Sequence, residues 1–319
     1  MNSLIQQYTN QLNQLVNQNH NKAKAGPVLT SSQSVIPTIA WDWPTASVGM
    51  ASTSAFEFAD TLPISCQADT YYQPSSDSFT NNYRNFLSLT QSTSKPLMRL
   101  IKKARRKIAV PKGSTANSPT PPGWSIIKIN GITRWCPNWK YSDTALNWQQ
   151  KVLDGSINNP GKITINLKNN TNQNQLLVTK KPKSPITKQL DVNDSFEKVV
   201  IEASAWGQIS ITPDSWYDSS IITLASSELS PTLQDKFFGD KGLLACRLAS
   251  FYVAYKVKIT FHGKNINQQA AKKPDLNSKE ILAMGIQVKP ADKQTPNSLQ
   301  FNSDKLDPVI VAVAIEKMK

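Results

Sequence analysis

The sequence predicts an α+β, β-dominated fold, with an antiparallel, sandwich-like sheet across the C-terminal two-thirds and a helix-containing N-terminal portion. Three observations carry this prediction. Residues 196–263 are rich in β-branched and aromatic side chains, which pack well on a pleated surface. An Asn-Gly pair at 130–131 separates two short apolar runs, as in a hairpin with a type I′ turn. Before residue 113, apolar residues recur at helical spacing instead.

The 319 residues divide into three predicted segments. Residues 1–37 form a polar segment and linker, residues 38–113 a helix-containing portion that ends in a basic helix, and residues 114–319 a β-rich core domain. The second boundary rests on the Ser/Thr/Pro-rich stretch 113–123, which is typical of a connection rather than a regular element. Apolar residues make up 39% of the chain, which is enough for a packed core.

Two helices are predicted ahead of the basic one. Within residues 1–20, apolar positions recur at steps of three and four, at Ile5, Tyr8, Leu12 and Leu15. They favour a short amphipathic helix, although a frayed polar tail is the alternative because isolated helices of this length are marginal. Residues 79–89 have the same spacing, at Phe79, Tyr83, Phe86 and Leu87, and predict a helix that faces the core.

Two hairpins are predicted early in the β-rich domain. The first joins residues 125–129 to 132–135 through the Asn-Gly turn. The second joins residues 162–167 to 175–180, and an exposed basic loop follows at 180–188. Near the C-terminus, the continuous apolar run 309–315 predicts a strand buried on both faces.

The centre of the predicted sheet is the stretch 196–263. Strands are expected at 199–201, 206–213, 221–224 and 251–261 because of their β-branched and aromatic content. Seven residues are predicted to be buried members of one sheet system: Trp206, Ile209, Ile211, Val253, Tyr255, Val257 and Ile259.

The three cysteines show neither a pairing pattern nor metal-ligand spacing. Cys66, Cys136 and Cys246 lie far apart, and their odd number is weak evidence for a reducing compartment. Cys246 is interpreted as a small core residue. The sequence shows no signal peptide and no apolar run of roughly 20 residues that could span a bilayer, so we expect a soluble protein made in the cytoplasm.

Catalytic chemistry is not predicted. His20 and His262 are the only histidines, and His262 ends a predicted strand, where a solvated or hydrogen-bonded role is common. Asp214 and Asp218 flank Trp216 and Tyr217 as a carboxylate pair could in a sugar cleft. Asp in this context is more often a turn residue, and that interpretation is favoured. We expect no catalytic residue, no metal site and no cofactor.

The basic helix predicted at 97–108 is the main candidate for function. Residues 91–113 contain eight Lys and Arg and no Asp or Glu, within a chain of net charge +14. Leu97, Ile101, Ala104 and Ile108 form an apolar stripe at helical spacing. The remaining positions carry the candidate anion-binding residues Arg99, Lys102, Lys103, Arg105, Arg106 and Lys107.

Two functions fit this helix. The favoured hypothesis is a non-enzymatic, toxin-like protein that docks on an anionic membrane, with Leu97, Ile101 and Trp139 as membrane-facing candidates. The alternative is a nucleic-acid-associated or coat-like structural protein, in which the same cations neutralise phosphates. Either could assemble as a homo-oligomer. A third interpretation stays open: the stripe packs on the sheet and the charges only keep the surface soluble.

Overall fold

The computed structural model of the chain describes residues 4–20, 33–42, 58–66, 72, 74–109, 120, 122–129, 132–167, 177–180, 187–189, 196–264, 281–283, 286–291, 295–303 and 308–318. The main helices are α1 (Leu4–His20), α2 (Phe79–Leu89), α3 (Lys95–Lys107), α4 (Ala145–Leu153), α5 (Ser219–Glu228) and α6 (Pro231–Phe238). The strands up to residue 189 are β1 (Gln33–Asp42), β2 (Thr61–Pro63), β3 (Pro74–Ser78), β4 (Trp124–Ile129), β5 (Ile132–Pro137), β6 (Trp139–Tyr141), β7 (Gly161–Asn166), β8 (Leu177–Lys180) and β9 (Thr187–Gln189). The later strands are β10 (Phe196–Ala203), β11 (Ala205–Pro213), β12 (Cys246–Tyr255), β13 (Lys258–Gly263), β14 (Ile281–Ala283), β15 (Ile286–Pro290), β16 (Ser298–Asn302) and β17 (Val309–Lys317). The fold is mixed α+β and β-rich, as predicted.

Two large sheets dominate the molecule. The first has five strands in the order β1-β17-β12-β11-β6, and the second has eight in the order β7-β10-β13-β16-β15-β14-β8-β9. Their paired strands run antiparallel. The hairpins β2-β3 and β4-β5 form separate two-stranded sheets.

The five-stranded sheet is the middle layer of three. On one side, a hydrophobic cluster joins it to the eight-stranded sheet and α1, through residues such as Trp206, Tyr252 and Ile259. On the other side, a second cluster joins it to α2, α3, α4, α5 and α6, through residues such as Ile209 and Phe251. Because both faces are covered, β17 is buried at every position from Val309 to Ile315, as its apolar run predicts.

Helix α1 closes one edge of the space between the sheets. Tyr8, Leu12 and Val16 are buried there, so the helix predicted in residues 1–20 is confirmed and is not a frayed tail. The side-chain amide of Gln11 donates to the carbonyl of Thr164 and its oxygen accepts from the Thr164 N–H at 2.8 Å. These bonds satisfy the outer edge of β7, which would otherwise be open to pairing with another strand.

The chain crosses from one sheet to the other at Lys256. The seven predicted core residues are all buried, but Ile259 lies in the eight-stranded sheet and Val253 in the five-stranded sheet, so the expectation of one sheet system is wrong. The predicted continuous strand 251–261 is interrupted at Lys256, whose φ of 51° lies in the left-handed region. A strand cannot continue through that conformation, and β13 starts two residues later in the other layer.

The segment predicted as a strand at 221–224 is helical. Asp218 accepts a hydrogen bond from the Ser220 N–H at 3.1 Å and caps the start of α5. Ile221, Ile222 and Ala225 then face the core at helical spacing. Local capping and the i to i+4 burial pattern therefore override the β propensity of the paired isoleucines.

The second predicted hairpin is wrong in its pairing. Strands form at both places, but β7 pairs with β10, where Ile163 lies opposite Ile201 and Ile165 opposite Val199. All four of these side chains are fully buried. Strand β8 pairs instead with β9 and β14. The first predicted hairpin is confirmed as β4-β5, and α2 occupies the predicted residues 79–89.

The predicted segment boundary at residue 37 falls inside β1. Most of the basic loop predicted at 180–188 lies outside the described residues. Both hydrophobic clusters draw residues from before and after residue 113. None of the helices that the structure describes is long and apolar enough to cross a lipid bilayer.

Candidate functional site

Helix α3 forms where the sequence predicts it and packs its apolar stripe into the core. The Ser94 side chain accepts from the Leu97 N–H at 3.3 Å and caps the start, and Pro96 occupies the first turn. Leu97, Ile101 and Ala104 are buried in the helical layer beside α2 and α5. The stripe is therefore the internal face of the helix.

The three residues expected to face a membrane lie in the core. Leu97 and Ile101 are 0% exposed and Trp139 is 2% exposed. The Trp139 ring packs edge-on against the rings of Phe79 and Trp216. The expectation that these side chains contact lipid is wrong for this fold, because the apolar surface they offer is already buried against the protein.

A row of cations occupies the opposite face of α3. Lys95, Arg99, Lys102 and Arg106 follow steps of four, three and four residues, so they lie along one line on the helix. At 1.5 Å per residue, this line is about 16 Å long. Lys103 lies beside it, and all five side chains are exposed. We call these five residues the cation row.

Among the residues that the structure describes, none neutralises the cation row. Within the described residues, no carboxylate forms a salt bridge with any α3 cation. The helix itself contains no acidic residue. Since like charges repel at this spacing, the row is destabilising unless it meets an anion. A polyanion would be attracted to the row electrostatically, with little need to desolvate apolar surface.

Arg105 has a different role from the other predicted anion-binding residues. Its Nε donates to the Leu87 carbonyl at 2.6 Å, and one terminal nitrogen lies 3.3 and 3.4 Å from the carbonyls of Ser88 and Thr90. These carbonyls belong to the end of α2, which lacks intrahelical partners for them. Arg105 therefore holds α2 and α3 together and is not counted in the cation row.

The far end of α3 is anchored to the first hairpin. The indole nitrogen of Trp124 donates to the Lys107 carbonyl at 3.0 Å. The guanidinium of Arg84, from α2, lies over the Trp124 ring at 5.8 Å from its centroid. The Lys107 side chain is exposed. These contacts fix the helix at its C-terminal end, so the cation row is held on a rigid support.

The two carboxylates considered for catalysis have structural roles. Asp214 accepts from the Ser215 N–H at 2.6 Å and pairs with Lys140 at 2.8 Å, while Asp218 caps α5. The turn interpretation of these carboxylates therefore agrees with their hydrogen bonds. His262 lies in β13, where partial burial and the nearby Lys198 lower its pKa. His20 ends α1, and its side chain lies outside the described residues.

Two of the three cysteines form a disulfide that sequence spacing did not indicate. Cys66, just after β2, bonds to Cys246 at the start of β12. Cys246 is buried in the core, as interpreted, but it is disulfide-bonded, and the odd cysteine count no longer supports a reducing compartment. Cys66 borders two surface grooves of about 260 and 190 Å³.

In the described part of the chain, no group of three His, Cys, Asp or Glu side chains could hold a metal ion.

Comparison of the chain with protein-family models, with curated proteins and with solved structures found no match. The chemistry of the α3 surface is therefore the basis for assigning a function.

Proposed function

We propose that this protein binds nucleic acid without sequence preference, through contacts of the cation row with the phosphate backbone. The observation that supports this most directly is the division of α3 into a buried apolar stripe and an exposed row of cations that pairs with no carboxylate among the described residues. Phosphate contacts by Lys and Arg supply most of the affinity of non-specific binding. A protein with this role would act as a structural or packaging component.

The burial of the stripe favours nucleic acid over a membrane as the partner. Interfacial helices bury their apolar face by about 5–10 Å in the boundary between lipid headgroups and acyl chains. In α3 that face is already in the protein core, with Leu97 and Ile101 fully buried. The exposed side chains of α3 are charged apart from Pro96, and a phosphate backbone requires nothing apolar.

The test removes four of the five charges of the cation row while keeping α3 and its contact with α2. The charge variant is Arg99→Gln, Lys102→Gln, Lys103→Gln and Arg106→Gln, with Arg105 retained. The matched control removes the same charge elsewhere, through Lys162→Gln, Lys198→Gln, Lys241→Gln and Lys264→Gln, all at exposed positions. Affinity for mixed-sequence nucleic acid is measured by fluorescence anisotropy over a series of salt concentrations.

We expect the charge variant to bind much more weakly than the wild type and the control. Its slope of log affinity against log salt should fall by about 0.9 for each lost contact with a duplex phosphate. Equal affinities and slopes for the charge variant and the control would contradict the proposal. Strong binding to vesicles containing phosphatidylserine, without binding to nucleic acid, would assign the row to a membrane instead.

A further inference from the structure

A second polar face lies next to the cation row and is visible only in the folded chain. Helix α5 packs beside α3, although their sequences are separated by more than one hundred residues. Both helices turn their apolar sides into the same hydrophobic cluster, through Ile101 on α3 and Ile221 on α5. Their exposed sides therefore lie on the same surface of the helical layer.

The exposed face of α5 consists of hydroxyl groups. Its exposed positions before the last residue are Ser219, Ser220, Thr223 and Ser227. Solvent-exposed helical positions usually carry charged residues, and Ser and Thr are weaker helix formers than Lys, Glu or Ala. Up to the final residue, Glu228, no carboxylate on this face opposes the neighbouring cations. The composition lowers helix stability and confines the carboxylates to the two ends of this face, at Asp218 and Glu228.

We infer that the cation row and the hydroxyl face of α5 form one surface that contacts both strands of a nucleic acid duplex. This inference rests on the proposed function, since the hydroxyl face alone would not attract phosphate. The axes of packed helices lie about 8–10 Å apart. This distance falls between the widths of the minor and major grooves of a duplex, about 6 and 12 Å, so it is compatible with one helix facing each strand. A single strand can follow only one of the two helices.

The hydroxyls suit the second strand because they contact phosphate and sugar oxygens without adding charge. In the structure, the Thr223 hydroxyl donates weakly to the Ser219 carbonyl at 3.3 Å, and the Ser227 hydroxyl donates to the Leu224 carbonyl at 2.9 Å. Rotation about one side-chain bond redirects each donor towards solvent. Contacts of this kind add affinity but release no counterions, so they leave the salt dependence unchanged.

The test is a hydroxyl variant, Ser219→Ala, Thr223→Val and Ser227→Ala, which leaves the capping residues Asp218 and Ser220 in place. Its matched control makes the same types of change at exposed positions elsewhere, through Ser76→Ala, Ser156→Ala and Thr212→Val. Affinity is measured for a short mixed-sequence duplex and for one of its strands. Thermal unfolding of each variant confirms that the fold is retained.

We expect the hydroxyl variant to lose roughly tenfold in duplex affinity, with an unchanged salt slope and unchanged single-strand affinity. The control variant should bind the duplex and the single strand with the same affinity as the wild type. If the hydroxyl variant keeps wild-type duplex affinity while the charge variant loses it, the two-strand surface is wrong and the proposed function stands. Equal losses of affinity for the duplex and the single strand by the hydroxyl variant would also contradict the two-strand surface. If the charge variant also binds normally, the proposed function fails as well.

Discussion

The guanidinium of Arg105, in the basic helix α3, donates from Nε to the carbonyl of Leu87 in α2 at 2.6 Å. It also reaches the Thr90 carbonyl, so one side chain serves several backbone acceptors at the end of α2. A cation at a helix C-terminus is stabilised by the helix dipole as well as by these bonds. Arg105 therefore differs from the cation row of α3, because it stabilises the fold through its bonds to α2.

Replacing Arg105 should therefore destabilise the protein. We expect Arg105→Gln to lower the free energy of unfolding by about 1–2 kcal/mol, because it removes charge-assisted hydrogen bonds to backbone carbonyls from a side chain that is partly solvated. Urea denaturation at neutral pH measures the change. The neighbouring Arg106→Gln is the matched control and should change stability by less than about 0.5 kcal/mol. Equal effects of the two substitutions would contradict the role assigned to Arg105.

Breaking the disulfide should destabilise the fold more than any loss of surface charge. The bond closes a loop with a sequence separation of 180 residues, and native disulfides contribute about 2–5 kcal/mol, chiefly by restricting the unfolded chain. We expect the double replacement Cys66→Ala and Cys246→Ala to lower the free energy of unfolding by this amount. A thiol titration of the denatured protein should find one thiol before reduction and three after it. Three thiols without reductant would show that the bond is absent.

Asp60 should make the protein less stable as the pH rises. Burial raises the pKa of this carboxyl from 3.8 to about 6, although Thr80 donates to it from its N–H at 2.8 Å and from its hydroxyl. The folded state therefore binds a proton more tightly than the unfolded state. The stabilisation by protonated Asp60 is complete below pH 4 and is lost as the pH rises through about 6.

The Asp60→Asn variant isolates this effect, because its side-chain oxygen can accept the same two bonds while it stays neutral. Near pH 4 the wild type and the variant should be about equally stable. At pH 8 the variant should be more stable by about 2–3 kcal/mol. Guanidinium denaturation at several pH values measures the difference. A wild type that gains stability relative to the variant with rising pH would reverse the sign and contradict this prediction.

Gly207 should not tolerate even one added methyl group. A Cβ at this position in β11 would lie 2.6 Å from Nε1 and 2.9 Å from ring carbons of Trp148. The indole is buried and cannot move away freely, so Gly207→Ala should cost about 1–3 kcal/mol. Adding Trp148→Phe shortens the ring and should recover part of that loss in a double-mutant cycle. Independent, additive effects would show that the two residues are not in contact.

The sequence predicts individual helices and strands better than it predicts which distant segments pair with each other. Helices α2 and α3, the Asn-Gly hairpin and the buried strand β17 follow from local spacing, and the structure contains each of them. Pairing of distant segments depends on side chains that meet only in the folded chain. Ile163 lies opposite Ile201 for that reason, and no pattern near residue 163 indicates it. The same holds for the pairing of Cys66 with Cys246.

The candidate site was predicted in part. The positions of the cations and the stripe follow from helical periodicity, but periodicity alone does not say whether the stripe contacts lipid or protein. The acceptors of Arg105 are backbone carbonyls, so residue identity gives no indication of them. The proximity of α5 to α3 depends on how both helices pack on the five-stranded sheet. Each of these points requires tertiary contacts.

The disulfide also determines how the protein responds to proteolysis. Cys66 and Cys246 enclose β3 to β11 and α2 to α6 within one covalent ring. A protease that cleaves once anywhere between these two residues leaves both fragments joined, so the nicked chain has nearly the mass of the intact one on a non-reducing gel. The cut becomes visible only after a reductant is added. One cleavage inside the ring therefore cannot release either main sheet from the molecule.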